Sequence, residues 1–170
     1  MKKLIIISVA FGLISFTSTV FSQNSLKIGH VDINEIMTSL PERDSAQVRL
    51  DKETKEIEST YEEMQVIYNK LLDDYQKGQS SFSDLVKKAK ESEILDKQKR
   101  MQEFEQNASK TLQQRNLELV QPIYNKIIKA IDRVATDNGF TYILDLSKGS
   151  VVFMSKDSQN INQMVLKLLK

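Results

Sequence analysis

The chain has 170 residues, with 24 Lys and Arg against 23 Asp and Glu, a single His and no Cys. That balance excludes the strongly basic composition of a nucleic-acid binder. The missing cysteine excludes a disulfide framework and a lipid-acylated N-terminus.

Lys2 and Lys3 precede the apolar run Leu4 to Phe16, and Val20-Phe21-Ser22 follows a polar stretch. A basic start, an apolar core and small residues at the cut define a secretory signal peptide over 1–22, with the mature chain beginning at Gln23. The apolar core is too short for a membrane span. Loss of Lys2 and Lys3 leaves 22 basic residues against the 23 acidic ones, a net charge of −1. An exported, soluble protein is expected.

Residues 23–40 form the first part of a body. Lys27-Ile28-Gly29-His30-Val31 reads as a short strand closed by Asp32, and Ile33 to Met37 as a short helix. Pro41 suits the first turn of the next helix, with Glu42 and Asp44 at the positive end of its dipole.

From 41 to 119 the chain reads as a helical hairpin arm. Between Ala46 and Leu119 there is no proline and one glycine, Gly78. Ala46, Leu50, Thr54, Ile57, Tyr61, Met64, Tyr68, Leu71 and Tyr75 alternate between steps of three and four, the spacing of a coiled-coil seam. The turn lies near 77–82, at Gly78-Gln79-Ser80-Ser81, and Ser81 is the expected N-cap of the return helix. Two arms of roughly 35 residues reach about 50 Å. A fold about Gln79 and Ser80 places Ile57 near Phe104 and Leu71 near Ala89.

Residues 120–170 complete the body. Leu117, Val120, Tyr124, Ile127, Ile131 and Val134 form a helical stripe that Ile123 and Ile128 widen. Pro122 within it must bend or break the helix. Gly139 caps the helix. Phe140 to Leu146 and Val151 to Met154 read as two strands of a β-hairpin around Ser147-Lys148-Gly149-Ser150. An amphipathic helix from Ile161 to Leu169 closes the chain. Strands this few leave edges that invite pairing, so an oligomer sharing one β-core is expected, of a number that spacing does not fix.

No grouping of residues carries catalysis, a metal or a nucleotide. His30 is alone, no Ser, His and Asp set has a family context, and there is no glycine-rich phosphate loop. Val66, Ile67, Leu72, Val86 and Leu95 lie off the seam. They serve either to complete hairpin packing or to bind apolar clients. Lys87, Lys88 and Lys90 make the tip mildly basic, suited to a weak contact with an anionic membrane surface or simply to solvation.

Lys27-Ile28-Gly29-His30-Val31-Asp32, followed by Leu40-Pro41-Glu42, resembles the opening of the Skp/OmpH family of periplasmic chaperones. So do Leu119-Val120-Gln121-Pro122-Ile123, Lys126 to Ile131, Val134-Ala135, Asn138-Gly139-Phe140, Tyr142-Ile143-Leu144-Asp145, and Asn160-Ile161 through Val165-Leu166-Lys167. The resemblance spans the mature chain in segment order, and in the arms it is one of pattern only. It implies a mainly α fold with a small β part: a jellyfish-like homotrimer whose β-barrel body, formed by oligomerisation, carries long helical tentacles. It implies an ATP-independent holdase in the periplasm that shelters unfolded outer-membrane β-barrel proteins, with no catalytic residue and no cofactor. The family's best known members are strongly basic, whereas this chain is near neutral. The rival expectation is a structural coiled-coil spacer or adaptor of the cell envelope.

Overall fold

The computed structural model describes residues 26–170, so the signal peptide expected over 1–22 lies outside the described residues. The order is β1 (Ile28–Val31), α1 (Ile33–Thr38), α2 (Pro41–Gly78), α3 (Asp84–Asp137), β2 (Tyr142–Asp145), a 3-10 turn (Leu146–Lys148), β3 (Gln159–Asn160) and α4 (Asn162–Leu169). Two long antiparallel helices dominate. α2 has 38 residues and α3 has 54. At about 1.5 Å per residue, α3 is about 80 Å long.

Local chemistry explains each boundary. Asp32 ends β1 and caps α1, its carboxylate accepting from the Glu35 N–H at 3.0 Å. Pro41 opens α2, where its missing N–H is harmless. At the far end Lys77 pairs with Asp73 at 2.6 Å, a cation in the last turn of the helix. The chain turns through 79–83. Ser83, not Ser81, is the N-cap of α3, its hydroxyl accepting from the Val86 N–H at 3.4 Å. Ser81 instead donates to the Gly78 carbonyl at 2.8 Å within the turn. α3 then runs unbroken through Pro122. It stops at Gly139, whose φ of +66° is a left-handed conformation that suits glycine.

Every residue of the expected α2 seam is buried or half-buried. The opposing face of α3 carries Lys87, Lys90, Ile94, Lys97, Met101, Phe104, Ala108, Leu112, Arg115, Leu119 and Ile123, again in steps of three and four. The register sits about one turn from the expected one. Phe104 stacks on Tyr61, with ring centroids 6.5 Å apart, rather than opposing Ile57. The five-residue turn displaces the axis of the hairpin toward the return arm.

The sheet has three strands in the order β2-β1-β3, and both pairings are parallel. The expected β-hairpin is therefore absent: Val151–Met154 forms no strand. Asp145 accepts from the Ser147 N–H and hydroxyl at 2.9 and 2.7 Å, and Gly149 at φ +66° ends the 3-10 turn. The chain crosses instead to the far side of β1, where Gln159 and Asn160 pair with Gly29 and His30.

The core lies where the sheet meets the helices. Val31, Ile36, Ile127, Ile161 and Val165 are its most completely buried members. Each such side chain contributes about 1.5–3 kcal/mol relative to exposure. On α3 the buried row is Ile123, Ile127, Ala130 and Val134. Leu117 and Ile128, expected in the buried stripe, are exposed. The stripe follows the continuing hairpin seam from Leu119, which rotates those two residues outward. Buried Asn162 ties α4 to the first strand and helix: its carbonyl accepts from the Asp32 N–H at 2.9 Å and its amide donates to Glu35 at 2.7 Å. Lys126 completes the join, donating to Glu42 at 2.6 Å and to the Leu169 carbonyl at 3.3 Å.

Candidate functional site

Two surfaces remain apolar after the core and seam are filled. The first is on the arm. Val66 is 67% exposed and lies with Ile67, Ser59, Glu62 and Glu63 along a shallow groove on α2. Seam positions face α3, so residues between them must face outward. Leu95 on α3 is exposed, and Val86 is exposed near the tip. Leu72, next to seam residue Leu71, is half-buried. These five residues do not converge on one pocket; they are distributed along the arm.

Further exposed apolar residues extend the surface. Val48 on α2 and Leu85 beside the tip stand out, Leu85 being 80% exposed. Spacing could have flagged both, because neither falls on the three-and-four row.

The basic tip is partly self-satisfied. Lys88 is exposed, whereas Lys87 and Lys90 are half-buried on the inward face of α3. The Lys90 ammonium lies 5.6 Å from the Phe82 ring centroid, a cation–π contact. Tyr75 donates to Glu91 across the arms, which pushes the Tyr75 phenol above its ordinary range. Farther down, Arg115 bridges Glu53 and Glu118 at 2.8 and 3.3 Å. The Glu53 hydrogen bond, then that of Glu118, raises the Arg115 pKa, and Glu118 is lowered by Gln114 and then Arg115. These polar pairs hold the arms in register.

The second surface is the outer face of the sheet. A Cβ on Gly29 would meet Phe140 and Ile143 at 2.8 and 2.9 Å, so that side of β1 faces the helices. Strand alternation turns Ile28, His30, Tyr142 and Leu144 the other way. Ile28, Tyr142 and Leu144 are exposed, and beside them Val152 and Phe153 are 99% and 84% exposed. A continuous apolar face of this kind marks an interaction surface. Among the described residues there is no group of three or more His, Cys, Asp or Glu placed to hold a metal ion, and no helix long and apolar enough to cross a membrane.

A small parallel sheet carrying a long two-helix projection defines the fold class. The family described as outer membrane protein (OmpH-like) matches residues 27–169. The chain belongs to this Skp/OmpH-like family. It is 29% identical to the chaperone protein Skp of Photorhabdus laumondii subsp. laumondii and 28% identical to that of Photorhabdus luminescens, over the full length of both chains in each case. Its fold is similar to the crystal structure of an OmpH-like protein from Caulobacter crescentus CB15. That match has a TM-score of 0.72 at 11% identity and covers 84% of this chain and 82% of the other.

Proposed function

We propose that this chain is an ATP-independent holdase of the periplasm, sheltering unfolded outer-membrane β-barrel proteins against its helical arms. One observation carries the reading: the hairpin seam is filled, yet the arm still exposes Val48, Val66, Ile67, Leu95 and Leu117. A helix paired for structure alone has no need of that second row. Weak apolar contacts spread along a long surface suit a binder that accepts many sequences. The named relatives, chaperones of the Skp type, support the same reading. Val66, Ile67, Leu72, Val86 and Leu95 are the proposed client contacts.

The outer sheet face is the proposed joint between copies of the chain. Its apolar residues and the free edge of the two-residue strand β3 both favour a partner presenting the same surface. A homotrimer closing its strands into a β-barrel is the assembly we favour, with 23–40 and 120–170 as body and 41–119 as arm. Lys87, Lys88 and Lys90, with exposed Leu85, suit contact between the tip and an anionic bilayer.

The test is dilution of a urea-unfolded β-barrel membrane protein into buffer with and without this chain. Suppressed light scattering in the absence of ATP is expected. Unchanged aggregation would favour the spacer or adaptor.

A further inference from the structure

The exposed apolar pair of the arm is bordered by acid. Val66 and Ile67, 67% and 48% exposed, line a shallow groove of about 430 Å³ on α2 with Ser59, Glu62 and Glu63. Val66 follows Glu62 by four residues and Ile67 follows Glu63 by four, so each carboxylate shares a helical row with one apolar side chain. From Ser59 to Ile67 the helix rises about 12 Å. That length matches about four residues of an extended chain.

The acids of this groove are not neutralised by the protein itself. Glu62 and Glu63 are exposed, and neither forms an ion pair among the described residues. Between Glu56 and Asn69 the chain carries Glu56, Glu58, Glu62 and Glu63 and no Lys or Arg. The nearest cations of α2 are Lys55 and Lys70, seven positions from Glu62 and Glu63 respectively. That is about 10 Å along the axis, close to the screening length at 0.1 M salt. The stack of Tyr61 on Phe104 brings α3 residues near 98–106 opposite the groove. There Lys99 pairs with Glu103 at 3.7 Å and Arg100 with Asp96 at 2.8 Å, while Lys97 is half-buried on the seam face. The cations of α3 are thus engaged on their own helix or turned to the seam.

We propose that this groove selects cationic apolar segments of an unfolded chain: about four extended residues whose apolar side chains cover Val66 and Ile67 and whose Lys or Arg reaches Glu62 or Glu63. This rests on the reading that the arm holds unfolded chains through its apolar residues, and adds which segments it takes. Lys and Arg suit a surface of both kinds, because their alkyl stems lie along apolar side chains while the charged head meets a carboxylate. The helix backbone is hydrogen-bonded within itself, so the grip is through side chains and imposes no fixed sequence. An acidic segment of equal apolar content meets like charge at the same place and is disfavoured. Net charge does not account for such a preference, since the chain as a whole is near neutral. The tip, with Lys87, Lys88 and Lys90, would favour the opposite sign.

The experiment titrates the mature chain into three labelled peptides that share one apolar core of Leu, Val and Phe and are flanked by Lys, by Ser or by Glu, with anisotropy as the readout. One exposed ion pair multiplies affinity by about 1.5–5. The Lys-flanked peptide should therefore bind several-fold tighter than the Glu-flanked one, with the Ser-flanked peptide between them. The gap should close at about 1 M salt, where the screening length is about 3 Å. It should also close at low salt in Glu62→Gln, Glu63→Gln combined, with helical content as in the wild type because Glu and Gln have similar helix propensity. Equal binding of the Lys- and Glu-flanked peptides, tighter binding of the Glu-flanked one, or a preference unaltered in the variant overturns the proposal. Equal peptide binding beside suppressed aggregation of an unfolded β-barrel protein removes the selectivity alone. No peptide bound and aggregation unchanged removes the holding reading with it.

Discussion

The Arg115 guanidinium reaches across the hairpin and donates to the Glu53 carboxylate at 2.8 Å, from a position inside the apolar seam. A charged pair at a seam position tolerates one alignment of the helices and penalises the others. The relation between Tyr61 and Phe104 follows the same register. Cysteines placed at 61 and 104, in a chain that has none, should crosslink within one chain under mild oxidation. Cysteines at 57 and 104 should crosslink poorly. Equal yields would show that the arms slide.

Ile127 and Ile128 are adjacent and differ sharply in surroundings. Ile127 is fully buried at the base of the hairpin, and Ile128 is exposed. Ile127→Ala should destabilise the fold by about 2–5 kcal/mol, as expected when a cavity opens in a packed core. Ile128→Ala should change stability by about 0.5 kcal/mol or less. Chemical denaturation of the two variants checks this, and similar losses would contradict the placement of α3.

Much of the fold is legible in the sequence, and the misses have causes. The α2 seam is visible because Leu50, Ile57, Met64 and Leu71 are plainly apolar at regular spacing. The α3 face is harder to see because Lys87, Lys90, Lys97 and Arg115 interrupt the apolar row, each half-buried through its alkyl stem. Val151–Met154 has the composition of a strand but forms none, since the turn at Asp145 and Gly149 carries the chain past it. Gln159–Asn160 has no strand signature. It pairs with β1 because the docking of Ile161 and Val165 sets its position, a long-range effect that local propensity does not contain. The exposed apolar residues of the arm are readable as positions off the seam, whereas the outer sheet face depends on a parallel pairing that sequence did not reveal.

The join of Glu42 with Lys126 should appear in the pH dependence of stability. The hydrogen bond from Lys126, foremost, holds the Glu42 carboxyl below the ordinary range of a glutamate. A lowered folded value means that the contribution is present above the unfolded value and is lost as pH falls through the folded one. Wild type should therefore lose stability below about pH 4.5 through this pair, and Glu42→Gln should lose less over that interval. Parallel melting-temperature profiles for the two proteins would contradict the assignment.

Stability should be graded along the arm. Near the tip Ile94 is the one buried side chain of α3, whereas Ile123, Ile127, Ala130 and Val134 are all buried at the base. Few apolar contacts mean low local stability. Amide hydrogen exchange should be fast from Tyr75 to Ser92 and slow from Ile123 to Ile143. Uniform protection would show that the tip is as firmly held as the base.

The central claim is that apolar surface on the arm holds unfolded chains. The most direct measurement is aggregation of an unfolded β-barrel membrane protein in the presence of Val66→Ser, Ile67→Ser and Leu72→Ser combined, with the assembly state checked by sedimentation. The account predicts that holding falls several-fold while the assembly and the helical content stay as in the wild type. Full holding by an intact, correctly assembled variant would contradict it.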